Sequence, residues 1–169
     1  MGILDKIQLF ELRNRALDVK LETKSFFAKL RSKKPKNLDK IMLELHQEVF
    51  DEINCLDCAN CCKSISPTLY DKDVDRLAKH FKIKPSQFVD EYLNIDEEGD
   101  YVFHETPCPF LLPDNYCIAY ESRPKACREY PHLDRNRFYQ ILNLTLKNME
   151  VCPAVFDAVE NLKKRKEKL

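Results

Sequence analysis

The sequence predicts a mainly α-helical protein: a small helical domain with short extended segments, organised around a cysteine–metal cluster. Three observations lead there. Apolar residues recur at three- and four-residue intervals through most of the 169 residues, the spacing of one buried helix face. The chain has two glycines, Gly2 and Gly99, and no Gly/Ser-rich stretch to act as a flexible linker. It also has eight cysteines, four of them packed into CLDCANCC between Cys55 and Cys62. A chain of this length can bury a real core. Residues 1–36 are expected to form an N-terminal helical extension and residues 37–169 the cysteine-cluster domain.

The elements follow in order. Ile3, Ile7, Phe10, Leu17 and Leu21 predict one long helix over 3–31, ended at the Lys33–Lys34–Pro35 break, with that stripe packed inward. Leu38, Ile41, Met42, Leu45, Val49 and Ile53 predict a second helix delivering the chain to Cys55. Val74, Leu77, Ala78 and Phe81 mark a short helix with Asp71 as its expected cap. Pro85 suits the first turn of another, with Phe88, Val89 and Leu93 inward. The acidic turn DEEGD separates two extended segments, Leu93–Ile95 and Tyr101–Phe103, and Tyr116–Ala119 is expected to be a third. Phe138, Ile141, Leu142, Thr145 and Met149 predict a further helix. Pro153 opens the last one, with Val155, Val159 and Leu162 buried.

Charge excludes some classes of function. Lys and Arg number 28 and Asp and Glu 28, so no broad positive field exists for nucleic acid. The charges are uneven, and the basic runs RSKKPK and KKRKEKL read as solvated helix ends. No apolar run approaches the roughly 18 residues that span a bilayer, and no membrane role is expected. The N-terminus, MGILDKIQLFELRNR, lacks the apolar core and cleavage site of a secretory signal, and Lys6 stands where a myristoylation signal needs Ser or Thr. A cytoplasmic address is therefore expected.

In a reducing compartment eight thiols bind metal or react rather than form a disulfide framework. The candidate ligands are Cys55, Cys58, Cys61, Cys62, Cys108, Cys117, Cys127 and Cys152, each read as lying in a turn or at a helix end. A structural zinc takes four thiolates, so eight fill two such sites. Adjacent Cys61 and Cys62 are expected to point apart and so to serve different ions. Two tetrahedra would carry a net charge of −4, and Lys63, Arg123, Lys125 and Arg128 stand close enough in sequence to offset it. Iron competes with zinc, because Cys55, Cys58 and Cys61 also match the opening of a cubane-cluster motif. Of the histidines, His132 and His104 are weaker ligand candidates, while His46 and His80 read as helix-surface residues.

CLDCANCC, SPTLYDKDVDRLAKHF, CPFLLPDNYCIAYESRPKACREYP and the final CP together resemble the YkgJ-like CxxCxxCC cysteine-cluster family, described as zinc- or iron-chelating. The resemblance runs over residues 55–153 and implies metal chelation by those cysteines. It implies no particular reaction. The leading expectation is a metal-binding protein chelating two or more zinc ions, in a structural or metal-handling role. Fully thiolate-ligated sites leave no open position for substrate water, which argues against hydrolysis. The alternative is an iron–sulfur protein with a redox or enzymatic role, kept open by a similar cysteine cluster in flagellin lysine N-methylases. With two glycines no GxGxxG or phosphate loop can be built. A third class is an adaptor in which residues 1–36 engage a protein partner.

Overall fold

A computed structural model describes residues 3–169, with side chains from Gln8 onward. In chain order the elements are α1 (Ile3–Asp18), α2 (Lys20–Lys33), α3 (Leu38–Glu52), α4 (Cys55–Cys58), α5 (Asn60–Ser64), α6 (Asp71–Phe81) and α7 (Pro85–Tyr92). Then come β1 (Leu93–Ile95), β2 (Tyr101–Phe103), α8 (Lys125–Glu129), α9 (Leu142–Asn148) and α10 (Pro153–Lys164). The protein is mainly α, with one two-stranded antiparallel sheet among the described residues. Two compact units divide the described residues: Leu56–Tyr130, and residues 3–55 together with Pro131–Leu169.

In the second of these units the core draws on α1, α2, α3, α9 and α10. Leu12, Ala16, Phe27, Leu30, Leu38, Ile41, Met42, Leu45, Val155, Val159 and Leu162 form part of one buried cluster. Met42, Leu45, Val155, Val159 and Leu162 are fully buried, each worth roughly 1.5–3 kcal/mol of apolar transfer. The stripes expected on α3 and α10 are the buried ones. Pro153 stands at the first turn of α10, where its missing N–H costs no hydrogen bond. The Asp39 carboxylate accepts the Arg137 N–H at 2.7 Å and the Phe138 N–H at 2.9 Å, which holds fully buried Phe138 against α3.

The N-terminal helix departs from the sequence reading in two ways. It is two helices, interrupted at Val19, whose carbonyl accepts the Thr23 hydroxyl at 2.8 Å. Its buried face is also a different one. Leu9, Leu12, Ala16, Thr23, Phe27 and Leu30 are buried, while Phe10, Leu17 and Leu21 are exposed at 64%, 50% and 81%. The true stripe runs in steps of three, four and seven residues and passes through a small and a polar residue, Ala16 and Thr23, so larger side chains on another face conceal it. Ile3 and Ile7 lie outside the described side chains.

The unit Leu56–Tyr130 has its own core: Leu69, Val74, Leu77, Ala78, Phe88, Leu93, Phe103, Phe110 and Ala119. β1 pairs β2 in the register Leu93↔Phe103, Asn94↔Val102 and Ile95↔Tyr101. At the connecting turn the Asp96 carboxylate accepts the N–H groups of Glu98 and Asp100, both at 2.9 Å. Gly99 supplies the positive φ of +87° that this turn requires. Tyr116–Ala119 is not a strand; Cys117 makes a single isolated bridge to Leu111. The cap of α6 is Tyr70 rather than Asp71, with Asp73 taking the Tyr70 N–H at 3.1 Å. The helix expected from Phe138 begins as a 3-10 turn, Phe138–Gln140, and becomes α-helical at Leu142.

Candidate metal centre

Six of the eight cysteines, Cys58, Cys61, Cys62, Cys108, Cys117 and Cys127, lie in the unit Leu56–Tyr130; Cys55 and Cys152 belong to the other. None of the eight is joined in a disulfide. Their settings are tighter than turns alone. Cys55 and Cys58 bound the one-turn helix α4, Cys61 and Cys62 lie inside α5, and Cys127 lies inside α8. Cys152 caps α10. Between α4 and α5 the buried Ala59 takes a left-handed φ of 48°, at a cost of about 1–2 kcal/mol. That reversal lets the nearly buried Lys63 turn back and donate to the Cys58 carbonyl at 3.1 Å.

Backbone hydrogen bonds join the sulfur-bearing segments of this unit. The Cys108 N–H donates to the Cys62 carbonyl at 2.8 Å, the Leu111 N–H to the Cys108 carbonyl at 3.1 Å, and the Tyr120 N–H to the Cys117 carbonyl at 3.1 Å. Two sulfurs also accept main-chain donors from two residues further on. The Phe110 N–H donates to the Cys108 thiol and the Ala119 N–H to the Cys117 thiol. Such bonds strengthen when the sulfur is a thiolate. Phe110 is anchored for this task. It is 3% exposed, with its ring 4.8 Å from Phe81, 5.2 Å from Tyr92 and 5.2 Å from Phe103.

Electrostatics single out four thiols, Cys62, Cys108, Cys117 and Cys127, each of the last three raised in part by the charge of Cys62. The Cys61 and Cys62 thiols are hydrogen-bonded with the sulfurs 3.9 Å apart. That bond, with Arg123 and Lys63 nearby and against the opposing effect of burial, brings Cys62 down to about 7. Burial pushes Cys108 and Cys127 up to about 12, and burial raises Cys117 as well. Arg123 works in the opposite direction on Cys117 and Cys127. Its guanidinium lies 3.4 Å from the Tyr120 ring centroid and its Nε donates to the Tyr120 carbonyl at 2.7 Å.

The donor set fits a thiophilic cation. Three half-buried thiols, Cys108, Cys117 and Cys127, resist ionisation alone, and a divalent ion placed among them would supply the positive charge that favours their thiolates. Among the described residues no three His, Cys, Asp or Glu side chains already converge as a ready coordination shell. The four thiols are thus neighbours in their electrostatics and not a preformed coordination shell.

Other expectations resolve as follows. Cys61 and Cys62 do not point apart: a one-turn helix brings the sulfurs to 3.9 Å, close to the ~3.8 Å between two thiolates of one zinc tetrahedron. Adjacency in sequence therefore does not force these two sulfurs onto different ions. Lys125 pairs with Glu129 at 3.6 Å, and Arg128 donates to the Arg123 carbonyl at 2.6 Å. His104 Nε2 contacts the Leu93 carbonyl, and His80 Nε2 lies 3.1 Å from the Ile118 carbonyl. His46 packs on Phe50 at 4.8 Å. His132 takes a left-handed φ of 65°. The sulfur-directed N–H groups of Phe110 and Ala119 escaped the sequence reading, although a cysteine followed by Pro-Phe in a turn is the signal that leads to the first of them.

A helical unit with six thiols, backbone donors aimed at sulfur and a guanidinium beside the cluster defines a cysteine-cluster metal-binding class. Residues 54–153, the span holding all eight cysteines, match the model of the CxxCxxCC family, described as "Putative zinc- or iron-chelating domain", and the chain belongs to that family. No curated protein matches the chain, and no solved structure does. No helix among the described residues is long and apolar enough to cross a membrane.

Proposed function

We propose that the protein chelates zinc through its cysteines in a structural or metal-handling role, with Cys62, Cys108, Cys117 and Cys127 as the ligands of one ion. The observation that carries this reading is the grouping of those four thiols in one unit, with N–H groups donating to two of them and Arg123 beside them. Thiolate ligation that fills a tetrahedron leaves no site for a reacting water, so the reading assigns no catalysis. Cys55, Cys58, Cys61 and Cys152 complete the proposed ligand set of eight, and two or more zinc ions per chain is the stoichiometry it predicts. A cytoplasmic, reducing location is part of the same proposal, since thiolate ligands need reduced cysteines.

Elemental analysis and a visible spectrum on protein purified without oxygen or chelator test it. Colourless protein with two or more zinc ions per chain supports the reading in full, and one zinc supports the four-thiol site alone. Brown protein with several irons and acid-labile sulfide transfers the same thiols to an iron–sulfur cluster, with a redox or enzymatic role.

A second reading, a protein partner for residues 1–36, is favoured by the exposure of Phe10, Leu17 and Leu21 on α1 and α2. Replacing all three by Ser tests it. Unchanged stability with loss of a co-purifying protein supports a docking role, and unchanged co-purification sinks it.

A further inference from the structure

Asp73 is 2% exposed and lies in the first turn of α6, far in sequence from any cysteine. One carboxylate oxygen accepts the Tyr70 N–H at 3.1 Å, the bond of an ordinary helix cap. The other is used differently. It accepts the Lys125 N–H at 3.0 Å, across 52 residues, and pairs with the Arg76 guanidinium. Burial works against this carboxylate, but the bonds from Arg76, Tyr70 and Lys125 outweigh it and hold the group ionised below the usual carboxylate range.

Arg76 extends the grip. Its Nη2 donates to the Arg123 carbonyl at 2.7 Å and its Nε to the Ser122 carbonyl at 3.2 Å, while Nη1 makes a longer 3.4 Å bond to Lys72 in its own helix. Together, the carboxylate and the guanidinium bind the main chain at Ser122, Arg123 and Lys125. That segment lies between Cys117 and Cys127 and carries the guanidinium that stands beside the thiols.

A helix cap needs none of these bonds to the 122–125 main chain. We propose that Asp73 and Arg76 are positioning residues for the cysteine site, clamping Ser122–Lys125 so that Arg123 is held against Cys62, Cys117 and Cys127. The inference rests on the chelation reading above and deepens it: it names how the unit fixes the cation that balances its thiolates. A rigid planar fork is required, since the Asp73 carboxylate and the Ser122 and Arg123 carbonyls are all bound at once in fixed directions. Lysine offers charge without that geometry.

The test measures zinc affinity of the full chain at one pH, by competition with a chromophoric chelator. Wild type is compared with Arg76→Gln, Arg76→Lys, Arg123→Met and the Arg76→Gln/Arg123→Met double variant. Arg76→Gln, Arg76→Lys and Arg123→Met are each expected to weaken zinc binding about 10–100-fold, the usual cost of losing a partner outside the ligand shell. The double variant is expected to lose no more than Arg123→Met alone, because Arg76 acts through Arg123. Losses that multiply instead of overlapping mean that Arg76 is merely structural, and overturn the inference.

A readout without metal accompanies this: amide hydrogen exchange at Lys125 in Asp73→Asn. Exchange accelerated at least tenfold at Lys125, with the α3 amides unchanged, supports the clamp, and an unchanged Lys125 rate refutes it. Wild-type protein that takes up neither zinc nor iron overturns the chelation reading and this inference with it. Wild type that binds while Arg76→Gln and Arg76→Lys bind equally well overturns the inference alone.

Discussion

On the proposed four-thiol site, loading zinc would expel protons, and the settings of the four thiols give the number expected. At pH 7 Cys62, brought to about 7, is half ionised. Cys108 and Cys127, pushed up to about 12, are fully protonated, and Cys117 is raised in the same direction. Binding as four thiolates therefore releases about half a proton from Cys62 and one from each of the others, between about three and four per ion. By linkage the affinity for zinc rises between about 10³- and 10⁴-fold per pH unit near neutrality. Titration calorimetry in buffers of different ionisation enthalpy measures the proton count, and chelator competition at pH 6.5, 7.0 and 7.5 measures the slope. A release of two protons or fewer per ion refutes the reasoning, because at least one of the half-buried thiols would then not be a ligand.

The remaining predictions concern ligands, pH and packing. Cys108→Ser and Cys127→Ser should each weaken zinc binding by more than the ~10–100-fold typical of an outer partner, since a ligand itself is lost; chelator competition reads this directly. In reduced, metal-free protein Cys108 and Cys127 have folded pKa values above those of the unfolded chain. Their contribution is thus fully present below the unfolded value of about 8.5 and is lost as pH rises towards 12. Urea unfolding should show falling stability from pH 8 to pH 10 without metal, and zinc-loaded protein should not share that decline. In the other unit, Leu45→Ala removes a fully buried side chain and should cost about 2–5 kcal/mol. Leu21→Ala, at an 81% exposed position, should change stability by no more than about 0.5 kcal/mol in the same urea assay.

How much of this the sequence carries depends on whether a feature is local. The stripes of α3 and α10 were legible because each side of the helix contrasts sharply, apolar against charged. The β1–β2 hairpin was legible because a glycine and a carboxylate that folds back on its own turn mark its tip. The face of α1 and α2 was not, because burial there runs through Ala16 and Thr23 while Phe10 and Leu21 face outward. The eight cysteines are plain in the sequence; which of them become neighbours is not. That grouping depends on pairings over long separations, such as the Cys108 N–H to the Cys62 carbonyl and the Lys125 N–H to Asp73. No periodicity encodes them.

The same distinction bears on the chemistry. A cysteine count bounds the charge that a site must balance, but the balance itself is supplied by groups whose identity is conformational. The Phe110 and Ala119 N–H groups could come from any residue whose side chain anchors that turn, and at position 110 an aromatic cluster provides the anchor. Arg123 is one of 28 cations in the chain. Its own carbonyl is held by the Arg76 guanidinium, and, two residues on, the buried Asp73 carboxylate holds the Lys125 N–H. A cation that is free to swing into water would be screened and would lower a thiol only weakly; one held in place acts at short range in a partly desolvated setting. The supply of candidate ligands is therefore a property of composition, whereas the setting that would hold several thiolates together is a property of the fold.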